Sequence, residues 1–543
     1  MNTKRDWNAT FAFVLFALAA TVVLRWLWSD VFLAECHSDT VDTLFAAAAS
    51  RDAGAIASPT FHYPYFIPFG GSMLVLPFLP LFGTGIATLR CGMTVFLLLF
   101  VLAAVALFRS LKWNRATCWL AVALVLTVAS ATPKMREICF GHVLFYSLGT
   151  LFFFWGLAIA PDPAEEEATT RRERMLRKAL FFFCMAWAAS CGKPLLLYAV
   201  VPVIGAWILV RCADPRPFSK SRDGSALLPS VLGAGVGLTV FLLLSRNLLP
   251  IEYAGPYELF SPPSQWWDNL GKLPERWISL LCPIDKEPVP IASGAGLPVA
   301  GQIALALLLA FAPILGLVRI WTFSRKEKML LAGHWILVAE VLFYWVFGSV
   351  SDANWRLCPV ALSSVASTAC VVKNLLCSET VFGRRAAATM AVFIAAVCIL
   401  GNLRTSLLPG NGVIWRDRDS LIPLLETIGV QDGYCTDFWF CNVTTAISGN
   451  RFRLRDVWTD DEGGWKPSSY LVDDRWYEPD PSRTRTVFVC YPNEEERAPA
   501  EGRTGRFECW QIDVRNKRYA KLVVLVYDGD CMNPGQIVSK QQP

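Results

Sequence analysis

Charge is what this chain has least of. Charged residues make up 17% of it, against about 25% in soluble domains. Before residue 402 they fall almost entirely between long apolar runs. A formal charge of +5 is too small to imply a nucleic-acid partner. No glycine-rich phosphate loop appears anywhere, which disfavours a cytoplasmic nucleotide-sugar enzyme. The hydropathy pattern also lacks the two related halves of a secondary transporter.

What is present is a hydrophobic ladder, 54% of the chain being apolar. About eleven runs of roughly 17–24 residues are each long enough to cross a bilayer. They lie at 9–28, 86–108, 116–133, 143–160, 179–192, 194–210, 226–245, 297–318, 329–350, 358–376 and 385–401. Gly192-Lys193-Pro194 divides the fifth from the sixth, which are otherwise one run. The 21 Trp and 35 Phe suit aromatic belts at two interfaces. The 17 cysteines are scattered, most inside apolar runs where Cys acts as a small hydrophobe, so they do not read as a disulfide scaffold.

Orientation follows from the gaps. With the N-terminus inside, the inner gaps hold Lys4 and Arg5, Arg109, Lys112 and Arg115, the Arg171–Lys178 cluster, and further groups to Arg384 and Arg385. They carry about twice the Lys and Arg of the outer gaps in roughly half the residues, which the positive-inside rule reads as cytoplasmic. The first run is long, ends in Arg25-Trp26-Leu27-Trp28 and lacks a small-x-small cleavage site, so it reads as a signal anchor. The expected architecture is an all-α polytopic membrane bundle over 1–401 and a small extracytoplasmic α/β domain over 402–543.

Unusual residues collect in the outer gaps, which hold three of the 4 histidines: His37, His62 and His142. The first gap opens with Glu35-Cys36-His37-Ser38-Asp39-Thr40-Val41-Asp42. Val41, Leu44, Phe45 and Ala48 follow at helical spacing, predicting a helix lying flat on the bilayer. Phe61-His62-Tyr63-Pro64-Tyr65 comes next, then an apolar stretch at 72–83, broken by Pro77 and Pro80, that reads as interfacial or re-entrant.

In the last domain, 402–422 reads as a linker broken at Pro409-Gly410-Asn411-Gly412, and Leu421–Ile428 as a short helix. Strands are expected at Arg485–Val489, Phe507–Asp513 and Leu522–Tyr527. Cys435, Cys441, Cys490 and Cys509 could pair locally in an oxidising exterior, leaving Cys531 over. The aromatic cluster from Tyr434 to Trp439 either stacks on a sugar or packs the domain core.

An acidic residue after the first span, a surface helix, a Pro-rich stretch, an apolar helix ending in Phe82-Gly83, and Ala87-Thr88-Leu89-Arg90 opening the second span together resemble the GT-C superfamily. These are the membrane glycosyltransferases that use polyprenyl-phosphate sugars, such as the protein O-mannosyltransferases and aminoarabinose transferases. The resemblance covers the membrane half. It implies a bacterial plasma-membrane enzyme moving a sugar from a polyprenyl-phosphate donor to an extracytoplasmic glycan, lipid or protein. Asp39 takes the family's acidic position. Where the family often has Asp-Glu, Thr40 follows here, and Asp42 or Glu35 would substitute for the missing neighbour.

Such a transfer needs a base for the acceptor's proton, and one carboxylate suffices. It also needs cations for the departing lipid phosphate, and Lys134, Arg136, Lys193 and Arg356 are the candidates. His37, His62, Tyr63, Glu137 and His142 are candidate substrate contacts. The plainer readings are a solvated helix cap for Asp39 and snorkelling anchors for the cations. Lys193 interrupts a hydrophobic run, where a cation is costly and usually functional. The chemistry requires no cofactor. Glu35, His37, Asp39 and Asp42 offer ligands for a divalent metal but lack a fixed metal spacing. A flippase or transporter of a lipid-linked saccharide, or a non-catalytic membrane scaffold, is the alternative function. A reporter that works only in the cytoplasm, fused after residue 420, should be silent, and one that works only outside should be active.

Overall fold

A computed structural model describes residues 7–142, 145–162, 170–214, 222–249, 259–283, 290–294, 296–407, 420–459, 464–478, 480, 483–513 and 518–532. The chain is a multi-pass membrane protein. Among the described residues, 8 helices are long and apolar enough to cross a membrane, or 9 if one bent pair counts as a span. These 8 coincide with expected runs, from Trp7–Trp28 to Val381–Ser406.

The three other expected spans take different forms. The run at 116–133 stops at Ala129, and Pro133–Gly141 leaves it at 109°. Thr127 and Ser130 return their hydroxyls to the carbonyls of Ala123 and Leu126, and Thr132 caps the new turn through the Met135 N–H at 3.1 Å. Phe145–Ile159 is an apolar helix of 15 residues. The 179–192 run is the apolar end of Arg171–Ser190, whose basic first half opens on a Thr170/Glu173 capping box. The break at Gly192-Lys193-Pro194 is real. Gly192 has φ +95°, and a Cβ there would sit 2.8 Å from the Phe241 ring.

Two compact units form. The first draws on Met1–Arg25, Phe96–Leu243 and Gly255–Leu408. Its most buried span is Asn354–Leu376, along which Ala361, Ser363, Ser364, Ala366, Ser367 and Thr368 form a small-residue seam that admits neighbouring helices closely. At one end, three consecutive residues tie the bundle. Arg325 meets Asp214 at 2.8 Å and Asp162 at 3.6 Å. Lys326 caps the carbonyls of Leu157 and Ala160. Glu327 accepts from Trp113 and Lys373 at 2.9 and 3.0 Å.

The second unit draws on Trp26–Val95, Leu244–Ala254 and Pro409–Pro543. Its centre is a mixed sheet of order β3-β2-β1-β4-β6-β5, with β1 Asp432–Cys435, β2 Arg453–Thr459, β3 Trp465–Pro467, β4 Arg485–Cys490, β5 Arg503–Asp513 and β6 Arg518–Asp528. β2, β1 and β4 run parallel, and the helix Phe438–Ile447 makes the crossover from β1 to β2. Tyr434, Val457, Phe488, Val523, Leu525 and Tyr527 pack the core.

Three expectations are corrected. Residues 402–406 continue the last span as helix, not linker, and Pro409–Gly412 lie outside the described residues. None of the 17 cysteines, all of them described, forms a disulfide. β6 lies between the strands of Cys490 and Cys509, holding them about 10 Å apart, beyond disulfide reach. Cys435 points its thiol at the Asp437 carbonyl, and Cys441 is buried in the crossover helix. The helix of the first loop, Asp42–Ala53, does not offer its apolar face to lipid. Val41, Leu44 and Phe45 are buried in protein, and Phe45 meets Trp476 edge-on at 5.6 Å.

The first loop also pairs with a segment of the sheet domain outside its six strands. Thr60–His62 pairs antiparallel with Leu471–Asp474, through His62 N–H to the Val472 carbonyl at 2.8 Å and Asp474 N–H to the Thr60 carbonyl at 2.9 Å.

Asp456 of β2 is fully buried, with the Trp458 indole donating to Oδ2 at 2.9 Å. Burial pushes its carboxyl up to about 7, from an unfolded value near 3.9. The folded state therefore holds this proton more tightly. Its contribution is complete below pH ~4 and is lost as pH rises to ~7. The melting temperature of the sheet domain should fall over that window, and Asp456→Asn should flatten the fall in calorimetric scans of the full chain.

Candidate functional site

The acidic loop folds within the second unit. Ser29 caps the short helix Asp30–Glu35, and the Trp26 indole donates to Glu35 Oε2 at 2.9 Å. The chain then enters a 3-10 turn, Ser38–Val41, whose cap is His37. The Thr40 hydroxyl accepts the His37 N–H at 3.2 Å. Thr40, the departure from the family pattern, thus closes the turn that carries the acid.

The three acids differ sharply. Glu35 is engaged by Trp26. Asp42 is 6% exposed in the first turn of its helix. The Asp39 side chain is 33% exposed, and His37 Nδ1 lies 4.0 Å from its carboxylate. Among the described residues the Asp39 carboxylate makes no hydrogen bond. Asp39 alone presents an available carboxylate.

His62 and Tyr63 have structural partners. His62 Nε2 lies 2.8 Å from Asp474 Oδ1. The Tyr63 hydroxyl accepts the Ser58 N–H at 2.9 Å, and burial raises its pKa. His62 pins the first loop to the sheet domain, and Tyr63 braces the loop internally. Arg90, in the Ala-Thr-Leu-Arg motif, donates to the Ser29 carbonyl at 2.7 Å and lies over the Phe32 ring at 5.6 Å, tying two helix ends.

The candidate cations belong to the first unit. Lys134 reaches both Glu137 oxygens at 2.6 and 2.8 Å, and His142 Nε2 is 3.4 Å from the same carboxylate. Lys134 Nζ also sits 5.2 Å from the Trp355 ring centre. The next residue, Arg356, lies near Tyr198, with Glu340 and Tyr344 also nearby. Tyr198 stacks on Phe145 at 6.1 Å. Lys193 starts the helical segment that carries Tyr198 and is exposed. Lys134 thus lies against Trp355, and the adjoining Arg356 lies near Tyr198. Arg136 differs: it is buried and donates to the Ser130 carbonyl at 3.1 Å, holding the 109° bend.

Sequence reasoning missed Tyr198, Lys272 and Arg276. Lys272 and Arg276 reach Asp352 at 3.1 and 3.3 Å from one face of Trp266–Leu281, and their i,i+4 spacing was the available signal. Tyr198 reads as one more apolar residue. Among the described residues no three His, Cys, Asp or Glu side chains gather as a metal-binding group.

No family model matches the chain, and no curated protein matches it. Solved structures do. ArnT from Cupriavidus metallidurans bound to undecaprenyl phosphate superposes with a TM-score of 0.55 at 15% identity, over 94% of this chain and 97% of that one. The chain has the GT-C fold. The apo state of the same ArnT gives 0.54 over the same shares. An Archaeoglobus fulgidus oligosaccharyltransferase tethered to an acceptor peptide gives 0.42 at 13% identity, over 87% and 64%. The GT-C fold here thus includes the C-terminal sheet domain as well as the membrane helices, since the superposition with ArnT leaves out only a small part of the chain.

Proposed function

We propose that this chain is a membrane glycosyltransferase that moves a sugar from a polyprenyl-phosphate donor to an acceptor outside the cytoplasm. The acceptor is a glycan, lipid or protein of the bacterial envelope. The protein sits in the plasma membrane with its N-terminus inside and its C-terminal domain outside. The observation that carries this reading is the near full-length likeness to ArnT, a protein solved with undecaprenyl phosphate bound.

The chemistry follows from the donor. A sugar linked to phosphate already carries its leaving group, so a second carboxylate to protonate a departing alcohol is not required. The acceptor oxygen or nitrogen attacks the anomeric carbon, its proton passes to the Asp39 carboxylate, and the anomeric C–O bond breaks. The electron pair leaves on polyprenyl phosphate. That developing charge calls for fixed cations, the role assigned to Lys134, Arg356 and Lys193, with Trp355 and Tyr198 holding two of them. Arg136 has the structural role of maintaining the bend.

Asp39→Asn keeps shape but removes the basic oxygen, and should cut transfer by about 10²–10⁴ with folding intact. Asp42→Asn and Glu35→Gln should each cost far less, because one residue is buried and the other engaged. Release of polyprenyl phosphate from a panel of polyprenyl-phosphate sugars measures all three, and full activity in Asp39→Asn ends its role as base. For the cations, undecaprenyl phosphate binding should weaken about 10-fold or more in Lys134→Gln, Lys193→Gln and Arg356→Gln. The Lys134→Gln Arg356→Gln pair should be non-additive, since Trp355 couples the two. Unchanged binding in all three leaves the lipid phosphate without its cations.

A further inference from the structure

The crossover helix Phe438–Ile447 reaches back to the turn that carries Asp39. The Trp439 ring meets His37 edge-on, with centroids 5.2 Å apart and planes at 66°. His37 caps that turn, and its Nδ1 lies 4.0 Å from Asp39 Oδ2. One residue further, Ser38 is buried and its hydroxyl donates to the Phe438 carbonyl. Trp439 is itself held in place. Its N–H donates to Asp437 Oδ1 at 2.7 Å, and Asp437 Oδ2 accepts the Tyr491 hydroxyl at 2.5 Å. Behind them the Thr436 hydroxyl and the Tyr491 N–H both donate to Glu494, at 2.5 and 3.1 Å.

We propose that Trp439 is a positioning residue for Asp39, so that the C-terminal domain sets the geometry of the acidic turn through His37. This rests on the reading of Asp39 as the base. A 3-10 turn of 4 residues has little stability of its own. Among the described residues the Asp39 carboxylate has no hydrogen bond to fix its rotamer, and the ring beside it is His37. What holds His37 therefore holds the acid. On the loop side, Trp439 supplies a rigid edge-on ring at His37, and the Ser38 tether supplies a second anchor one residue on. Transfer demands placement within about an ångström, and a misplacement of that size costs about 10²-fold. The indole touches His37, not the reacting atoms, so its loss should fall on turnover and spare donor binding.

The experiment compares Trp439→Ala, Trp439→Phe and Ser38→Ala in the full chain, with Asp39→Asn as reference. It reads kcat, donor KM and amide hydrogen exchange over residues 36–42. Trp439→Ala should lower kcat about 10–100-fold, leave donor KM within about twofold, and speed exchange over 36–42. Trp439→Phe keeps an edge-on ring and should recover most of both effects. Ser38→Ala removes the second tether and should move kcat and exchange in the same direction, which keeps the test open if Trp439→Ala fails to fold. Wild-type turnover in Trp439→Ala, while Asp39→Asn is inactive, overturns the positioning role and leaves the glycosyltransferase reading standing. Unchanged exchange over 36–42 in both Trp439→Ala and Ser38→Ala overturns it whatever the activity. Full activity in Asp39→Asn removes the base reading, and the positioning of a catalytic acid falls with it.

Discussion

The second unit depends on a short antiparallel pairing between distant parts of the chain. Thr60–His62 lies against Leu471–Asp474, and the His62–Asp474 contact joins residues 412 positions apart. Main-chain bonds of this kind satisfy groups that would otherwise lie unpaired at a sheet edge. Burial of Val41, Leu44 and Phe45 supplies the accompanying apolar area. The same loop meets the crossover helix through Ser38 and His37. The ordering cost is large, since closing so long a loop yields nothing until its ends meet.

The membrane half obeys a different constraint. Lipid offers no partner to a polar group, so each one retained within the bundle has to find a partner in the protein. Asn402 turns its amide to Thr127 at 2.9 Å, His334 shares a hydrogen bond with Ser363 at 2.9 Å, and Arg404 donates to Gln302 at 3.2 Å. The Arg325-Lys326-Glu327 clasp is the strongest instance, gathering four other segments at the start of one span. Small side chains along Asn354–Leu376 serve the same end by letting backbones approach.

Much of this was legible from residues alone, for identifiable reasons. The spans were visible because a bilayer imposes a length on apolar runs, and the break at Gly192-Lys193-Pro194 because glycine and proline act through the backbone. The later strands β4 and β6 were visible through their β-branched residues, and β5 through its aromatic and apolar residues between turn-rich stretches. β1 and β3 were not, being too short for any periodicity to develop. The helix of the first loop was placed against lipid because its pattern shows that one face is buried, not what covers it. Asp39 was singled out by its place before the surface helix, while the roles of Glu35 and Asp42 stayed open until the Trp26 indole and the burial of Asp42 separated them from it. Tyr198 stayed hidden because its function would lie in a hydroxyl that apolar neighbours mask.

The remote pairing of the first loop also bears on biosynthesis. A chain is made from its N-terminus, and domains generally fold in that order. Asp39 leaves the ribosome early, but Ser38 and His37 meet their partners only after residue 439 has been made, and Thr60 only after residue 474. Through most of translation and membrane insertion the acid therefore sits on an unfinished turn. The chain gains its carboxylate first and the wall that orients it near the end. An interrupted product would carry the acid without the geometry, a built-in delay between acquiring a reactive group and arming it.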